Sequence, residues 1–236
     1  MNIIVTGASR GIGHELVKLL SIDGQHTVIA ISRNSAKLEQ LKNECVKANA
    51  QAKVICIACD LSKDEEIKKL SQEIKKHFQS VDVLINNAGT IVNKPFEEIT
   101  SADLEYVYNV NVFSVFKIIQ HLLPIMNTKT KSHIVNIGSV GGFQGSMKFE
   151  GLSAYSSSKA ALASLTECLA EEFKTKNIAF NCLALGATQT EMLNEAFPGY
   201  KAPLSANEMA KYISEFALTA HNYMNGKVIP VSLSNP

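Results

Sequence analysis

Short, nearly continuous apolar runs alternate along the chain with longer stretches in which apolar positions recur every third or fourth residue. The runs predict strands at residues 2–6, 27–31, 54–58, 81–85, 133–137, 178–183 and 227–231. The periodic stretches predict helices at residues 11–20, 36–47, 64–78, 102–126, 154–174 and 206–217. In the third of these, Ile67, Leu70 and Ile74 share one face. The strands do not alternate apolar with polar, which predicts burial on both faces. Strand–helix alternation from end to end predicts an α/β fold: one Rossmann-type, doubly wound parallel sheet with helices on both faces, forming a single domain over residues 1–236. Polar or glycine-rich stretches at 138–153 and 186–205 follow strands, on the carboxyl edge where such sheets bind ligands. The second is expected to be a flexible substrate loop, with 191–200 as a mobile lid carrying Met192, Leu193, Phe197 and Tyr200.

Composition adds exclusions. The chain has 236 residues, 46% apolar and 19% charged, with no tryptophan, as expected of a globular protein with an ample core. A net charge of +1 gives no reason to expect a nucleic-acid or anionic-membrane partner. No apolar run is long enough to span a bilayer. The first residues carry neither a basic leader nor a long apolar stretch, so no secretory signal is expected. The five cysteines are an odd number and predict reduced, mostly buried thiols in a cytoplasmic protein. Cys56 and Cys59 resemble half a metal or redox site, but no second pair follows, so they are expected to be structural thiols. The six histidines show no ligand spacing, and no metal is expected; His14, His77 and His121 are expected on helix surfaces.

Candidate chemistry starts after the first strand. Thr6-Gly7-Ala8-Ser9-Arg10-Gly11-Ile12-Gly13 joins it to the first helix. Glycines permit a tight turn and close approach to a pyrophosphate, and the helix N-terminus offers free N–H groups and a positive dipole end. The spacing is neither G-x-G-x-x-G nor a P-loop. An acid about 20 residues beyond such a loop binds a ribose 2′-hydroxyl, whereas a basic residue there suits a 2′-phosphate. That place is held by Arg33, in Ser32-Arg33-Asn34, and no Asp or Glu occurs from Gln25 to Leu38. The chain's 23 basic residues include only two arginines, Arg10 and Arg33. Two guanidinium groups can fork onto one phosphate, with Ser32 or Asn34 adding donors. The cofactor expected is therefore NADP(H) rather than NAD(H).

Tyr155 and Lys159 stand four apart on a predicted helix and so share a face. A free phenol has a pKa of about 10. A nearby cation stabilises the phenolate and makes tyrosine usable in proton transfer. Ser139 follows the fifth strand and places a hydroxyl on the carboxyl edge; Ser146 and Ser153 are alternative hydroxyls.

Together these pieces resemble the short-chain dehydrogenase/reductase family of single-domain NAD(P)-dependent enzymes. The carriers are the Thr6–Gly13 loop, Asp60-Leu61 after the third strand, Asn86-Asn87-Ala88-Gly89 after the fourth, Asn111, Asn136-Ile137-Gly138-Ser139 and Tyr155-x3-Lys159. The ordered resemblance runs over nearly the whole chain. It implies Tyr155 as the general acid, with Ser139 hydrogen-bonding the substrate carbonyl. Lys159 is implied to bind the nicotinamide ribose and lower the Tyr155 pKa. Asn111 is implied to interrupt the long helix and hold a water that relays protons to Lys159. Asp60 and Leu61 are implied to contact the adenine, and Asn87, Ala88 and Gly89 the adenosine ribose and its surroundings.

The chain departs from the family pattern in three places. Leu185-Gly186 replaces the usual Pro-Gly, which predicts a looser turn, with Thr188 and Thr190 still able to reach carboxamide and phosphate. The spacing from Ser139 to Tyr155, 16 positions, is longer than usual, so an extra loop is expected beside the substrate. The C-terminal residues 231–236 also differ from the nearest general pattern, that of the 3-oxoacyl-acyl-carrier-protein reductases. The resemblance implies an NADPH-dependent oxidoreductase acting on a small-molecule or acyl-chain carbonyl, assembled as a homodimer or homotetramer. A reading from another class is a non-catalytic NADP(H)-sensing binding protein.

Overall fold

Strand β1 (Asn2–Thr6) lies inside a seven-stranded sheet and pairs in parallel with β2 (Thr27–Ser32) on one side and β4 (Val83–Asn86) on the other. The computed structural model describes residues 1–233. Ser234, Asn235 and Pro236, part of the C-terminal departure, lie outside the described residues. The remaining strands of the sheet are β3 (Lys53–Ala58), β5 (Ser132–Ser139), β6 (Ile178–Leu185) and β9 (Lys227–Val231). All are parallel, in the order β3-β2-β1-β4-β5-β6-β9. The order reverses direction between β1 and β4, and a crevice opens at the carboxyl ends of strands at such a switch point. Pro230 sits in β9, an edge strand, where its missing N–H costs no central ladder bond.

Period-two alternation within each strand feeds two cores. Ile3 and Val5 face one side and meet Leu16 and Val17 of α1 (Gly11–Ser21), Leu38 and Leu41 of α2 (Ser35–Ala48), and Ile213 and Phe216 of α8 (Ala206–Thr219). Ile4 and Ile29 face the other side. There they meet Ile67, Leu70 and Ile74 of α3 (Asp64–His77), Ile118 and Leu122 of α5 (Ser114–Leu122), and Leu162 of α6 (Ser153–Glu172). Every residue of β6 is buried, as its unbroken apolar run requires.

The predicted helix at 102–126 is not one helix. It is α4 (Ser101–Tyr108), a π-helical turn (Asn109–Phe113), α5, and a 3-10 turn (Leu123–Ile125) that holds Pro124. Thr100 starts it with a capping box to Asp103. Ser114 Oγ donates to the Val110 carbonyl at 2.7 Å within the π turn. Such turns insert one extra residue into a helix and commonly mark functional positions. Residue 111 lies at the middle of this one.

The 186–205 stretch, expected as a loop, contains regular elements. Strand β7 (Thr188–Gln189) pairs in parallel with β8 (Leu204–Ser205), and α7 (Glu191–Ala196) lies between them. The Leu185-Gly186 turn is pinned rather than loose. Leu185 extends β6 between Ser139 and Val231, and Gly186 N donates to the Val231 carbonyl at 2.9 Å. All five cysteines are free, and Cys45, Cys59 and Cys182 are buried, as expected of mostly buried thiols, while Cys56 is half-buried and Cys168 exposed. Burial pushes the Cys59 thiol up to about 12.

A polar pocket behind the sheet sets an acid limit. His133, fully buried in β5, donates from Nδ1 to the Ala217 carbonyl (2.9 Å) and accepts at Nε2 from Asn181 Nδ2 (2.9 Å). Burial lowers its pKa to about 4. The unfolded imidazole, near 6.5, binds its proton first, so stability is present above that pH and lost as pH falls towards 4. The loss is up to about 3 kcal/mol across that window. Urea midpoints are expected to drop from pH 7 to pH 5 in the native protein and to drop less in His133→Gln. Parallel pH slopes for the two proteins would remove His133 from this account.

Candidate active site

One cavity of about 520 Å³ opens at the carboxyl edge over the β1–β4 switch point. Its floor is the glycine loop. Gly7 has φ +70°, and a Cβ there would lie 2.8 Å from Ala88 Cα, so only glycine fits. A Cβ on Gly13 would lie 2.3 Å from the Gly7 carbonyl oxygen, so this residue lets α1 close onto the loop without itself lining the cavity. Helix α1 begins with no side-chain cap and no acid in its first turn. Its first N–H groups are therefore open to an anion. Ser9, Gly11 and Ile12 line the cavity here. Asn87 braces the loop, donating from Nδ2 to the Thr6 and Gly7 carbonyls (3.0 and 3.3 Å), while the Asn87 and Ala88 N–H groups donate to Thr6 Oγ1 (both 3.0 Å).

Arg10 and Arg33 line one end of this cavity together with Ser32 and Asn34. Both guanidinium groups are exposed and have other partners. Arg10 pairs with Glu195 of α7 at 3.2 Å, and Arg33 donates to the Tyr106 hydroxyl at 3.2 Å. Asn34 caps α2 by accepting from Lys37 N, which leaves its amide hydrogens as donors. Lys37, one turn into α2, also lines the cavity and adds a third cation. Nothing local in the sequence marks Lys37, because a helix-surface lysine is unremarkable until α2 starts at Ser35, beside Arg33. Asp60 and Leu61 form the adjoining wall. Burial favours the neutral Asp60 carboxyl, but hydrogen bonds from Ser62 and the charge of Arg33 hold its pKa below the ordinary value.

At the other end are Ser139, Tyr155 and Lys159, brought together by β5 and the first turns of α6. Lys159 is buried; its Nζ donates to the Ile137 carbonyl at 2.8 Å and lies 5.8 Å from the Tyr155 ring centroid. Burial lowers the Lys159 pKa to about 8, so it remains mostly charged at neutral pH. Burial also raises the Tyr155 phenol above its ordinary value, while a hydrogen bond with Ser139 acts in the opposite direction. In this state burial outweighs any help from the Lys159 cation. Of the alternative hydroxyls, Ser146 is spent on the Val140 and Phe143 carbonyls, Ser153 is exposed at the start of α6, and neither lines the cavity.

Asn111 lies behind the cavity wall, fully buried. Its Oδ1 accepts from Thr90 N (2.8 Å), and its Nδ2 donates to the Thr90 carbonyl and to Ser158 Oγ (both 2.9 Å). Ser158 Oγ in turn donates to the Tyr155 carbonyl at 2.7 Å. Gly89 lies beside this cluster: a Cβ there would be 3.4 Å from Lys159 Nζ and 3.5 Å from Asn111 Oδ1. The Asn87–Gly89 segment thus runs from the glycine loop to the lysine. Gly186, Thr188 and Thr190 close the cavity from the β6 side, and Thr190 also caps α7. Ser32 Oγ and Thr188 Oγ1 are buried without a protein partner. Two orphaned hydroxyls, an uncapped helix N-terminus and three cations fit a phosphate-bearing dinucleotide.

A family model described as short chain dehydrogenase matches residues 1–201. The chain belongs to that family. This short-chain dehydrogenase is 30% identical over 240 residues to nodulation protein G of Rhizobium sp. (strain N33), with 97% of this chain and 94% of the relative covered. It is 31% identical over 243 residues to the 3-oxoacyl-[acyl-carrier-protein] reductase FabG of Aquifex aeolicus (strain VF5), covering 97% and 94%. Among solved structures it is similar to the Pseudomonas aeruginosa RhlG/NADP active-site complex, with a TM-score of 0.85, 29% identity and 98% and 94% of the two chains covered. The short-chain dehydrogenase is an oxidoreductase. None of the helices among its described residues is long and apolar enough to cross a membrane, and no group of residues among them is arranged to hold a metal ion.

Proposed function

We propose that this enzyme transfers hydride between NADP(H) and a carbonyl or secondary-alcohol substrate, with Tyr155 as general acid and base. The observation that carries this reading is the cavity's polarity. Ser139, Tyr155 and Lys159 meet at one end, while Arg10, Arg33 and Lys37 stand at the other. The NADP complex of a relative adds support from outside the chain. When bound, the dinucleotide supplies the hydride.

The chain's own residues do the rest. The Gly7–Gly13 loop and the open N–H groups of α1 hold the pyrophosphate. Arg10 and Arg33, with Ser32 and Asn34, take the 2′-phosphate, and Asp60 and Leu61 flank the adenine. Thr188 and Thr190 hold the carboxamide end beside Gly186. Ser139 donates to the substrate oxygen. In reduction the Tyr155 O–H bond breaks and its proton passes to that oxygen. Lys159, charged at neutral pH, stabilises the phenolate left behind and returns a proton to it. Asn111 has its carboxamide engaged by Thr90 and Ser158, which leaves one lone pair on Oδ1 for a relaying water. The whole chain acts as one cytoplasmic domain, with 186–205 as its substrate loop, in a homodimer or homotetramer. The 3-oxoacyl-acyl-carrier-protein reductases are a narrower reading, favoured by the FabG relative.

The test is NADPH oxidation followed at 340 nm with a panel of neutral ketones and a 3-oxoacyl thioester. Turnover is expected on at least one. NADPH binding with no turnover on any would instead favour a non-catalytic sensor.

A further inference from the structure

Three separate segments meet at one wall of the cavity, and the second of them leads directly into the first turn of α6, which bears Tyr155. They are the loop before α4, the extended loop before α6, and the C-terminal end of α7. Asn93 from the first donates to the Ala196 carbonyl in the third at 2.8 Å. Lys94 N donates to the Gly151 carbonyl in the second at 3.1 Å. Gly151 has φ +76°, and a Cβ there would overlap Asn93 Oδ1, so only glycine permits this close crossing. Phe149 of the extended loop and Phe197 after α7 then meet edge to face, with ring centroids 5.6 Å apart and planes at 73°. Both rings line the cavity.

The wall they form is apolar. Ile91, Val140, Leu152, Met192 and Leu193 line the cavity from these segments and from the strand end at Ser139. The charges lie elsewhere. Among the described residues lining the cavity the cations are Arg10, Arg33, Lys37 and Lys159. The first three stand at the glycine-loop and α2 end, and Lys159 is committed to the Ile137 carbonyl. Glu191 lies against the glycine loop, with Oε2 3.7 Å from the place of a Gly11 Cβ. A substrate carboxylate or phosphate at the phenylalanine wall would lose its hydration and find no free counter-ion. An apolar chain or ring there would lose nothing and gain burial.

From this we infer that Phe149 and Phe197 determine specificity and select neutral carbonyl compounds whose apolar chain or ring packs against the paired rings. The inference rests on the oxidoreductase reading above and names its substrate class. The longer Ser139–Tyr155 segment has a purpose here: it carries Phe149 across to the lid.

Steady-state kcat/KM with NADPH tests it on three ketones: 2-butanone, 2-octanone, and a 2-octanone analogue ending in a carboxylate. For the native enzyme, 2-octanone is expected to exceed each of the other two by about tenfold or more, since one methylene in an apolar pocket is already worth about that factor. In Phe149→Ala and Phe197→Ala the ratio of 2-octanone to 2-butanone is expected to fall about tenfold, through KM. NADPH titration by fluorescence reports whether each variant is folded. Phe197→Leu, which keeps an apolar side chain, is expected to retain most of the preference. Equal rates for the carboxylate analogue, or an unchanged ratio in both alanine variants, would overturn the inference and leave the oxidoreductase reading standing. If NADPH binds and no carbonyl compound is turned over, both readings fall.

Discussion

Tyr155→Phe is expected to lower kcat by about 10²- to 10⁴-fold while leaving NADPH affinity unchanged. The substitution removes one oxygen and keeps the ring, so the α6 turn that carries Lys159 stays packed. What disappears is the phenolic proton held within hydrogen-bond reach of Ser139. The native phenol starts from an unfavourable position, because burial raises its pKa and Ser139 only partly counters this. That direction suits the reductive half of the reaction, in which a protonated phenol must donate. It works against the oxidative half, in which a phenolate must accept. Alcohol oxidation is therefore expected to climb with pH well above neutrality, whereas ketone reduction holds until the phenol ionises. Lys159 adds a second limit. Its folded pKa is lowered to about 8, so its charge, and the help it gives the phenolate, fades as pH rises through that value. A kcat profile for reduction that falls at alkaline pH in the native enzyme is the companion measurement. Turnover by Tyr155→Phe at the native rate would end the mechanism.

The depth to which each feature can be read from the sequence follows the range of the interaction that sets it. The strands were readable because burial on both faces leaves no polar position to interrupt the apolar run, as β6 shows from Ile178 to Leu185. The Gly7–Gly13 loop and the Tyr155–Lys159 pair were readable because each is a local spacing. The break at 109–113 was not visible in the periodicity, since a π turn adds one residue to an apolar helix and the pattern resumes after it. Only the family resemblance pointed to Asn111. Strands β7 and β8 are too short to leave an alternation pattern. The pairings of Arg10 with Glu195, Asn93 with Ala196 and Phe149 with Phe197 join positions far apart in the chain, and no local pattern announces them. The same holds for Asn87. The motif places it after β4, but its carboxamide is spent on the Thr6 and Gly7 carbonyls, which makes it a brace for the loop.

Arg33→Asp is expected to reverse the order of preference between NADPH and NADH, shifting the ratio of their kcat/KM values by about 10²-fold or more. Arg33 stands at the end of β2, exposed, with its guanidinium resting on the Tyr106 hydroxyl. A neutral partner of that kind yields easily to a phosphate dianion, because a charge-assisted, forked hydrogen bond is about twice as strong as a neutral one. Arg10 stands differently. Its present partner is the Glu195 carboxylate, so recruiting it to a 2′-phosphate exchanges one ion pair for another and contributes less. An exposed pair is worth about 0–1 kcal/mol, which sets the scale of that exchange. Lys37 supplies charge without a fork. Arg33 is thus the residue whose loss the neighbours replace least well. Losing a hydrogen bond to a charged group costs about 1.5–3 kcal/mol, roughly one to two decades in affinity. The new carboxylate adds repulsion of the 2′-phosphate and a partner for the free 2′-hydroxyl, so the two effects move the ratio in the same direction. Ser32 Oγ, buried and without a partner, is the neighbouring donor that either cofactor can use, which is why NADH turnover is expected to rise rather than vanish with the charge reversal. Arg10→Ala is the control, with a smaller loss of NADPH preference and no gain for NADH. Steady-state kinetics with both cofactors decide the matter, and a ratio unmoved by Arg33→Asp would take the 2′-phosphate away from this end of the cavity.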